Sequence, residues 1–410
     1  MAATVEVRLR NGTVLEDISS IAMDKQLRRR LNRISQFTCR VPSYLVNEIQ
    51  ADGKPLVCSG FRQISVTLDS TGLFFHGIIW DVEDDGDEDM CYSTITCYDP
   101  MVVWHKRPAR DAVDSYSGTA GNFSDPSFID RNTTGPQIME EILTASEQLI
   151  WGADDGEGPL FIDLANSTFA GGGEDLTGAP TNWPMMIAEI ATLLTNTGEL
   201  DIVIEPIIHV PGGTTLSNMA EVHCFNGNYG DNLTATVNLD YATGDHNARL
   251  MRRSDSMETV ANKNWYYLGP RLDQQHWRSN IAPPIGTLGA LGTLLQDSRD
   301  ELGVFMQIPI YDNFGLESSA WPLYERSWLV ESLLRAMPRQ MVYLTPTRGE
   351  ATSIGVGDFD IGDQITVNIG NKARVASTGA QRIYGYTIDI DDDAVEALGE
   401  LAVSPDQDSI

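Results

Sequence analysis

The sequence predicts an α+β, β-rich protein with barrel-like β domains at both ends and α/β material between them. Three observations carry this reading. Short stretches of alternating apolar and polar residues fill the first hundred positions. Apolar residues at helical spacing gather only in the middle of the chain. Strand character then returns after position 341. At 410 residues the chain exceeds one ordinary core, and its texture divides it at 1–103, 104–215, 216–340 and 341–410.

The elements follow in order. Val5, Val7 and Leu9 alternate with charged residues, Asn11-Gly12 supplies a tight turn, and Val14, Leu15 and Ile18 return, which predicts a hairpin. Phe37, Cys39 and Val41 alternate before Pro42, and Val57–Leu68 and Leu73–Val82 read as further strands. A second hairpin turns near Asp85-Gly86 and comes back through Cys91 to Cys97. Gly135-Pro136 opens a helix with Ile138, Ile142, Ala145 and Leu149 on one face, and a loop containing Gly171-Gly172-Gly173 follows. Another helix starts at Asn182–Pro184, carries Ile187, Ile190, Ala191 and Leu194, and stops at Gly198. Ile202–Ile208 reads as a buried strand and Val222–Leu239 as strand again. Ser254–Lys263 is predicted helical, Pro283–Gly292 a loop, Phe305–Tyr311 a strand and Trp321–Met337 a helix closed by Pro338. Met341–Leu344, Gln364–Ile369 and Ile383–Ile390 read as strands. The segment Asp389–Ile410 has eight acids and no base, and is predicted to be a short helix, Ala394–Leu401, with a frayed end.

Charge narrows the function. With 58 acidic and 28 basic residues the formal charge is −30, and basic runs are short, as at Arg28-Arg29-Arg30 and Arg252-Arg253. Such a chain repels phosphate, which argues against tight nucleic-acid binding. The longest greasy run, Leu200–Val210, contains Asp201, Glu205, Pro206 and His209, so no membrane insertion is expected. Met1–Arg10 does not read as a signal peptide, so the chain is expected to be soluble and made in a cytoplasm. The five cysteines lack C-x-x-C spacing, and Cys91 and Cys97 on one strand would lie roughly 20 Å apart, so reduced thiols are expected.

Motifs for chemistry do not emerge. The six histidines, His76, His105, His209, His223, His246 and His276, are dispersed without H-E-x-x-H spacing; His209 and His223 are the two that could meet in space. A phosphate loop and a serine elbow are lacking, and Gly355 and Gly357 precede Asp358 rather than a helix. Asp81, Glu83, Asp85 and Gly86 partly fit a calcium loop, but position twelve is Tyr92, so the acidic run reads as a solvated turn. Adjacent Glu140 and Glu141 point apart on their helix and do not suit glycoside hydrolysis. The expectation is therefore no catalytic residue, no cofactor and no metal.

Several segments resemble the tail-hub proteins of long-tailed phages infecting actinobacteria, distant relatives of the baseplate-hub protein of contractile-tailed phages. They are Val14–Ile18 with Asp24-Lys25 and Arg28–Asn32; Phe37–Pro42; Met257, Ala261–Lys263 and Leu268–Pro270; and Ile361–Asp363 with Arg382–Tyr386. Where an acidic residue is expected before Met257, this chain has Ser256. The resemblance implies a structural, non-enzymatic hub. It implies a homotrimer in which each subunit gives two barrel-like β units to a ring at the tail tip. Its implied neighbours are the distal tail protein, tail tube, tape measure protein and tail-tip or fibre proteins. It also implies a virion protein assembled in the host bacterial cytoplasm, with DNA passing through the channel during ejection, as in a siphovirus. Asp84, Asp85, Asp87 and Glu88 would then form an acidic turn facing lumen or solvent. The rival readings are a tail-tip cell-wall hydrolase, a carbohydrate- or receptor-binding minor tail protein, and an acidic enzyme from a high-salt cell.

The charge makes one prediction directly. In a gel-shift assay at physiological salt, micromolar protein leaves duplex DNA unretarded; micromolar or tighter binding would contradict the electrostatic argument.

Overall fold

The structure is a computed structural model. It describes residues 3–86, 91–107, 134–148, 150–151, 155–156, 160–170, 186–196, 200–210, 217–227, 229–241, 247–256, 263–268, 276–279, 306–307, 310–311, 339–346, 354–369, 377–391 and 395–405.

The first seven strands are β1 (Thr4–Leu9), β2 (Val14–Asp17), β3 (Met23–Arg30), β4 (Gln36–Pro42), β5 (Arg62–Leu68), β6 (Gly72–Gly86) and β7 (Cys91–Tyr98), with the short helix α1 (Ser43–Val46) after β4. Alternation places Val5 and Val7, then Phe37, Cys39 and Val41, on the buried face. The β1–β2 hairpin turns at Gly12, whose φ of +80° suits a residue without Cβ. Strand β6 is long enough to serve two partners: Gly72–Ile78 pairs with β5, and Ile78–Gly86 pairs with β7.

The middle of the chain supplies α2 (Gly135–Gln148), β8 (Ile150–Trp151), β9 (Asp155–Gly156), β10 (Thr168–Phe169), α3 (Ile187–Asn196), β11 (Asp201–His209) and β12 (Asn218–Phe225). A capping box starts α2: the Gln137 side chain accepts from the Thr134 N–H at 3.0 Å. Glu189 closes the start of α3 in the same way, accepting from the Met186 N–H at 2.7 Å. Ile138, Ile142, Ile187, Ile190 and Leu194 meet Ile202, Val222 and Cys224 in a core of their own, against the β10–β12–β11 sheet. Ala145 and Leu149, expected on the same face of α2, lie outside the residues whose side chains are described. So do the predicted Gly171–Gly173 loop, Asn182–Pro184 and Gly198.

The remaining strands are β13 (Asn238–Asp240), β14 (Ala248–Ser256), β15 (Lys263–Leu268), β16 (His276–Ser279), β17 (Met306–Gln307), β18 (Ile310–Tyr311), β19 (Arg339–Pro346), β20 (Gln364–Ile369), β21 (Ser377–Ile390) and β22 (Glu396–Pro405). Two expectations are corrected here. Ser254–Lys263 is not a helix where it is described: Ser254–Ser256 completes β14, registered against Arg339–Met341 of β19, and Lys263 opens β15. Within the predicted helix Ala394–Leu401, Glu396–Leu401 is strand instead, because β22 is laddered to β21 on one side and β19 on the other. Its Ala, Glu and Leu residues favour a helix locally, but two ladders and the burial of Leu401 and Val403 outweigh that weak preference. Within Val222–Leu239, strand gives way to a turn in which Leu233 O accepts from the Thr236 and Val237 N–H groups. The predicted loop Pro283–Gly292 and helix Trp321–Met337 lie outside the described residues.

The β-rich α+β class is what the structure shows, but among the described residues the strands from the two ends do not close into barrels. They join in one open sheet of order β14-β19-β22-β21-β3-β4-β7-β6-β5-β1-β2, with β20 also on β21 and β13 on β20. Strand β21 makes the junction. Its first half, Ser377–Arg382, pairs with β20, and its second half, Gly385–Ile390, pairs with β3. A single core follows the sheet from Val5 and Phe37 to Ile365, Ile388 and Val403.

At the junction a Cβ on Gly385 would stand 2.8 Å from the Arg29 carbonyl oxygen. Gly385→Val should therefore separate β21 from β3 and lower stability by roughly 1–3 kcal/mol in urea unfolding. An unchanged midpoint would mean that the ladder yields at that point.

Candidate functional site

The most heavily bonded charged group among the described residues sits where β21 passes from β20 to β3. The Arg382 side chain is 5% exposed and ion-pairs with Asp201 at the head of β11, itself 3% exposed. The guanidinium also donates to the backbone oxygens of Gly227 (3.1 Å), Tyr229 (2.9 Å) and Gly362 (3.2 Å). Asp201 accepts in addition from the Tyr229 N–H and from Asn32 Nδ2, both at 3.0 Å. Asn32, in the left-handed region at φ +61°, answers by accepting from the Ile202 N–H at 2.6 Å. Gly230 and Gly362 are needed here, since a Cβ on Gly230 would lie 2.2 Å from the Gly362 carbonyl carbon. One ion pair thus ties the first β unit, the α/β segment and the last β unit.

A second connection lies beside it. Arg29 on β3 pairs with Asp360 at 3.0 Å and stacks over Phe74, while Asp360 accepts from the Tyr386 hydroxyl at 3.0 Å. Burial, with Asp360 close by, pushes the Tyr386 phenol well above its ordinary range, so it stays protonated and donates.

Asp84 and Asp85, expected in a turn, lie within β6 instead, laddered to Ser93 and Tyr92 of β7. Asp84 and Asp85 are exposed, and Asp84 accepts from the Ser93 hydroxyl at 2.5 Å. Asp87 and Glu88 lie outside the described residues.

Among the described residues several buried groups have displaced pKa values. Burial pushes the Cys39 thiol up to about 12 and raises Cys97 and Cys224 as well, so these thiols are not nucleophiles at neutral pH. All five cysteines are free. Burial holds His76 down at about 4, between Ile207 O at 2.6 Å and the Gln63 amide at 3.0 Å. Burial pushes Asp99 up to about 7, while it accepts backbone N–H groups from Ser35 and Met101 and caps the 3-10 turn Pro100–Lys106. The groove between them, lined by Arg29, Phe74, His76, Asp99 and Pro206, has room for about one water.

The histidines on β11 and β12 do not meet. His209 lies opposite Asn218 and His223 opposite Val203. His209 Nδ1 sits 2.7 Å from Asp163. Burial works against the Asp163 charge, but Asn166 and His209 outweigh it and hold the carboxyl below its usual range. His223 instead lies between Glu205 and Glu221, with Nε2 at 3.6 and 3.7 Å from their oxygens.

No protein-family model matches the chain, and no curated protein matches it in sequence. Solved structures do match. The 43 kDa tail protein of prophage MuSo2 from Shewanella oneidensis aligns over 98% of this chain and 97% of its own, with a TM-score of 0.51 and 12% identity. The tail protein from Neisseria meningitidis MC58 aligns over 99% and 97%, with a TM-score of 0.50 and 9% identity. The chain has the fold of phage tail proteins. At such identities the likeness concerns the fold, and the tail-protein fold here runs the whole length of the chain.

Against this tail-protein fold the signals in the sequence sort clearly. Asn32, Gly362 and Arg382 were all within segments that carried the hub resemblance, and the structure brings them to one node. Asp201 was visible only as an acid heading a greasy run. An acid in such a run needs a buried cation, and Arg382 lies 181 positions away. Among the described residues no helix is long and apolar enough to cross a membrane.

Arg382→Met leaves Asp201 buried without its cation and should cost about 3–5 kcal/mol, whereas adding Asp201→Asn should recover part of the loss. Chemical denaturation of the two single variants and the double variant measures the coupling. Simple additivity would mean that the pair does not hold the three segments together.

Proposed function

We propose that the chain is a structural tail-hub protein at the distal tip of a phage tail. It forms a homotrimeric ring that joins the hexameric tail tube and distal tail ring to the tip and lets DNA pass. The observation that carries this reading is the tail-protein fold spanning the chain from end to end, including the two β units joined through β3 and β21. Residues 1–103 and 341–410 serve as the two β units that each subunit gives to the ring. Residues 104–215 form a lateral α/β domain and 216–340 a mixed α+β domain. Two units from each of three subunits make six, which suits a sixfold tube above and a threefold tip below.

The charge fits a conduit. A trimer carries three times −30, or −90. Acidic walls repel phosphate, so DNA slides rather than sticks, although salt screens the field beyond about 8 Å. The turn formed by Asp84, Asp85, Asp87 and Glu88 faces the lumen or solvent in this arrangement. The role needs no catalysis and no cofactor. Neighbours are the distal tail protein, tail tube, tape measure protein and tip or fibre proteins, and the protein resides in the virion after assembly in the host bacterial cytoplasm.

Electron microscopy of the concentrated purified protein tests the proposal, with class averages inspected for symmetry. The expected result is a threefold ring with an open central channel. A stable closed oligomer without a channel would overturn the hub reading and favour envelope binding or cell-wall hydrolysis.

A further inference from the structure

We propose that Glu205, Glu221 and His223 form a binding site for one first-row divalent cation of the zinc type. The site lies on the face of the β11–β12 pair turned away from α2 and α3. Strand geometry places the three side chains together. Val222 and Cys224 point into the helix-side core, so Glu221 and His223, two residues apart on β12, share the opposite face. Glu205 lies directly across from Glu221 in the antiparallel register.

That arrangement is costly without a cation. Two carboxylates facing each other across a strand pair repel. Between them the Nε2 of His223 is enclosed by protein and makes no hydrogen bond. Its distances of 3.6 and 3.7 Å to the two carboxylates are too long for one. Buried polar atoms almost always have a partner, so an enclosed ring nitrogen aimed between two carboxylates calls for one. His223 first, and Arg29 after it, hold the Glu205 carboxyl below its usual range against burial, and Arg29 is itself engaged with Asp360.

The distances suit a metal ion. The three donor atoms all lie within 4.8 Å of one another. Bonds of about 2.0–2.2 Å to a tetrahedral ion need donors roughly 3.3–3.5 Å apart, close to the 3.6 and 3.7 Å that separate His223 Nε2 from the two carboxylates. One imidazole with two carboxylates favours zinc and its first-row neighbours over magnesium and calcium, which prefer all-oxygen shells. Three protein ligands leave the fourth position to water. The ion would relieve the Glu205–Glu221 repulsion and fasten β11 to β12, the pair that presents Asp201 to Arg382.

The test is zinc binding to the untagged full chain after chelator treatment, measured by competition with a chromophoric chelator. Cobalt absorption in the visible range reports the ligand set. The expected result is one ion per chain at pH 7.5. His223→Gln and Glu221→Gln should weaken binding at least about tenfold, and His209→Gln should leave it unchanged. Glu205→Gln, at a half-exposed position, serves if a β12 variant fails to fold; circular dichroism identifies such a failure. The alternative is an imidazolium ion held between the two carboxylates without metal. Zinc binding no tighter in the wild type than in the folded variants would establish that alternative and overturn the metal site.

Discussion

The buried ion pair between Arg382 and Asp201 is the constraint on which the architecture turns. A guanidinium that leaves water needs its charge matched and its donors used. Here one carboxylate and three backbone carbonyls meet that need. The partners come from three separate stretches of chain, so the group can be satisfied only when Asp201 of β11, the Gly227 and Tyr229 carbonyls, the Gly362 turn and β21 are all in place. A buried pair of this kind contributes little net stability over an apolar substitute. Its value lies in rejecting arrangements in which a charge would be stranded.

Around that pair the main sheet is organised by strands that change partners. Strand β6 passes from β5 to β7 along its length, and β21 passes from β20 to β3. Partner exchange along a long strand lets two β units share one sheet and one core instead of closing separately. The glycines at the exchange have physical reasons: Gly385 admits the Arg29 carbonyl, and Gly362 and Gly230 let two turns touch. Arg29, Asp360 and Tyr386 brace the same crossing.

The same logic separates structural charge from surface charge. Arg29, Arg62 and Arg382 are buried or nearly so and each is matched by a carboxylate. Asp52 is held at about 2 by its two-pronged bond with Arg62. Acids on the β6 tip are exposed instead and set the field outside the protein.

Local pattern determined much of this protein in advance. Alternation in Val5–Leu9 and Phe37–Val41 named both strands and their buried faces, and the i, i+3, i+4 spacing of Ile187, Ile190, Ala191 and Leu194 named a helix, because those periods are set by backbone geometry alone. The order of segments around Asn32, Gly362 and Arg382 carried the likeness to tail hubs. Only the tertiary structure decided the rest. Glu396–Leu401 and Ser254–Ser256 have sequences that suit a helix, yet they are strands, since ladders to β21 and β19 lie far away in the chain. The fusion of the two ends into one open sheet, and the meeting of Glu205 with Glu221 and His223, depend on strand register. Register is fixed by contacts between distant residues, which no local periodicity encodes.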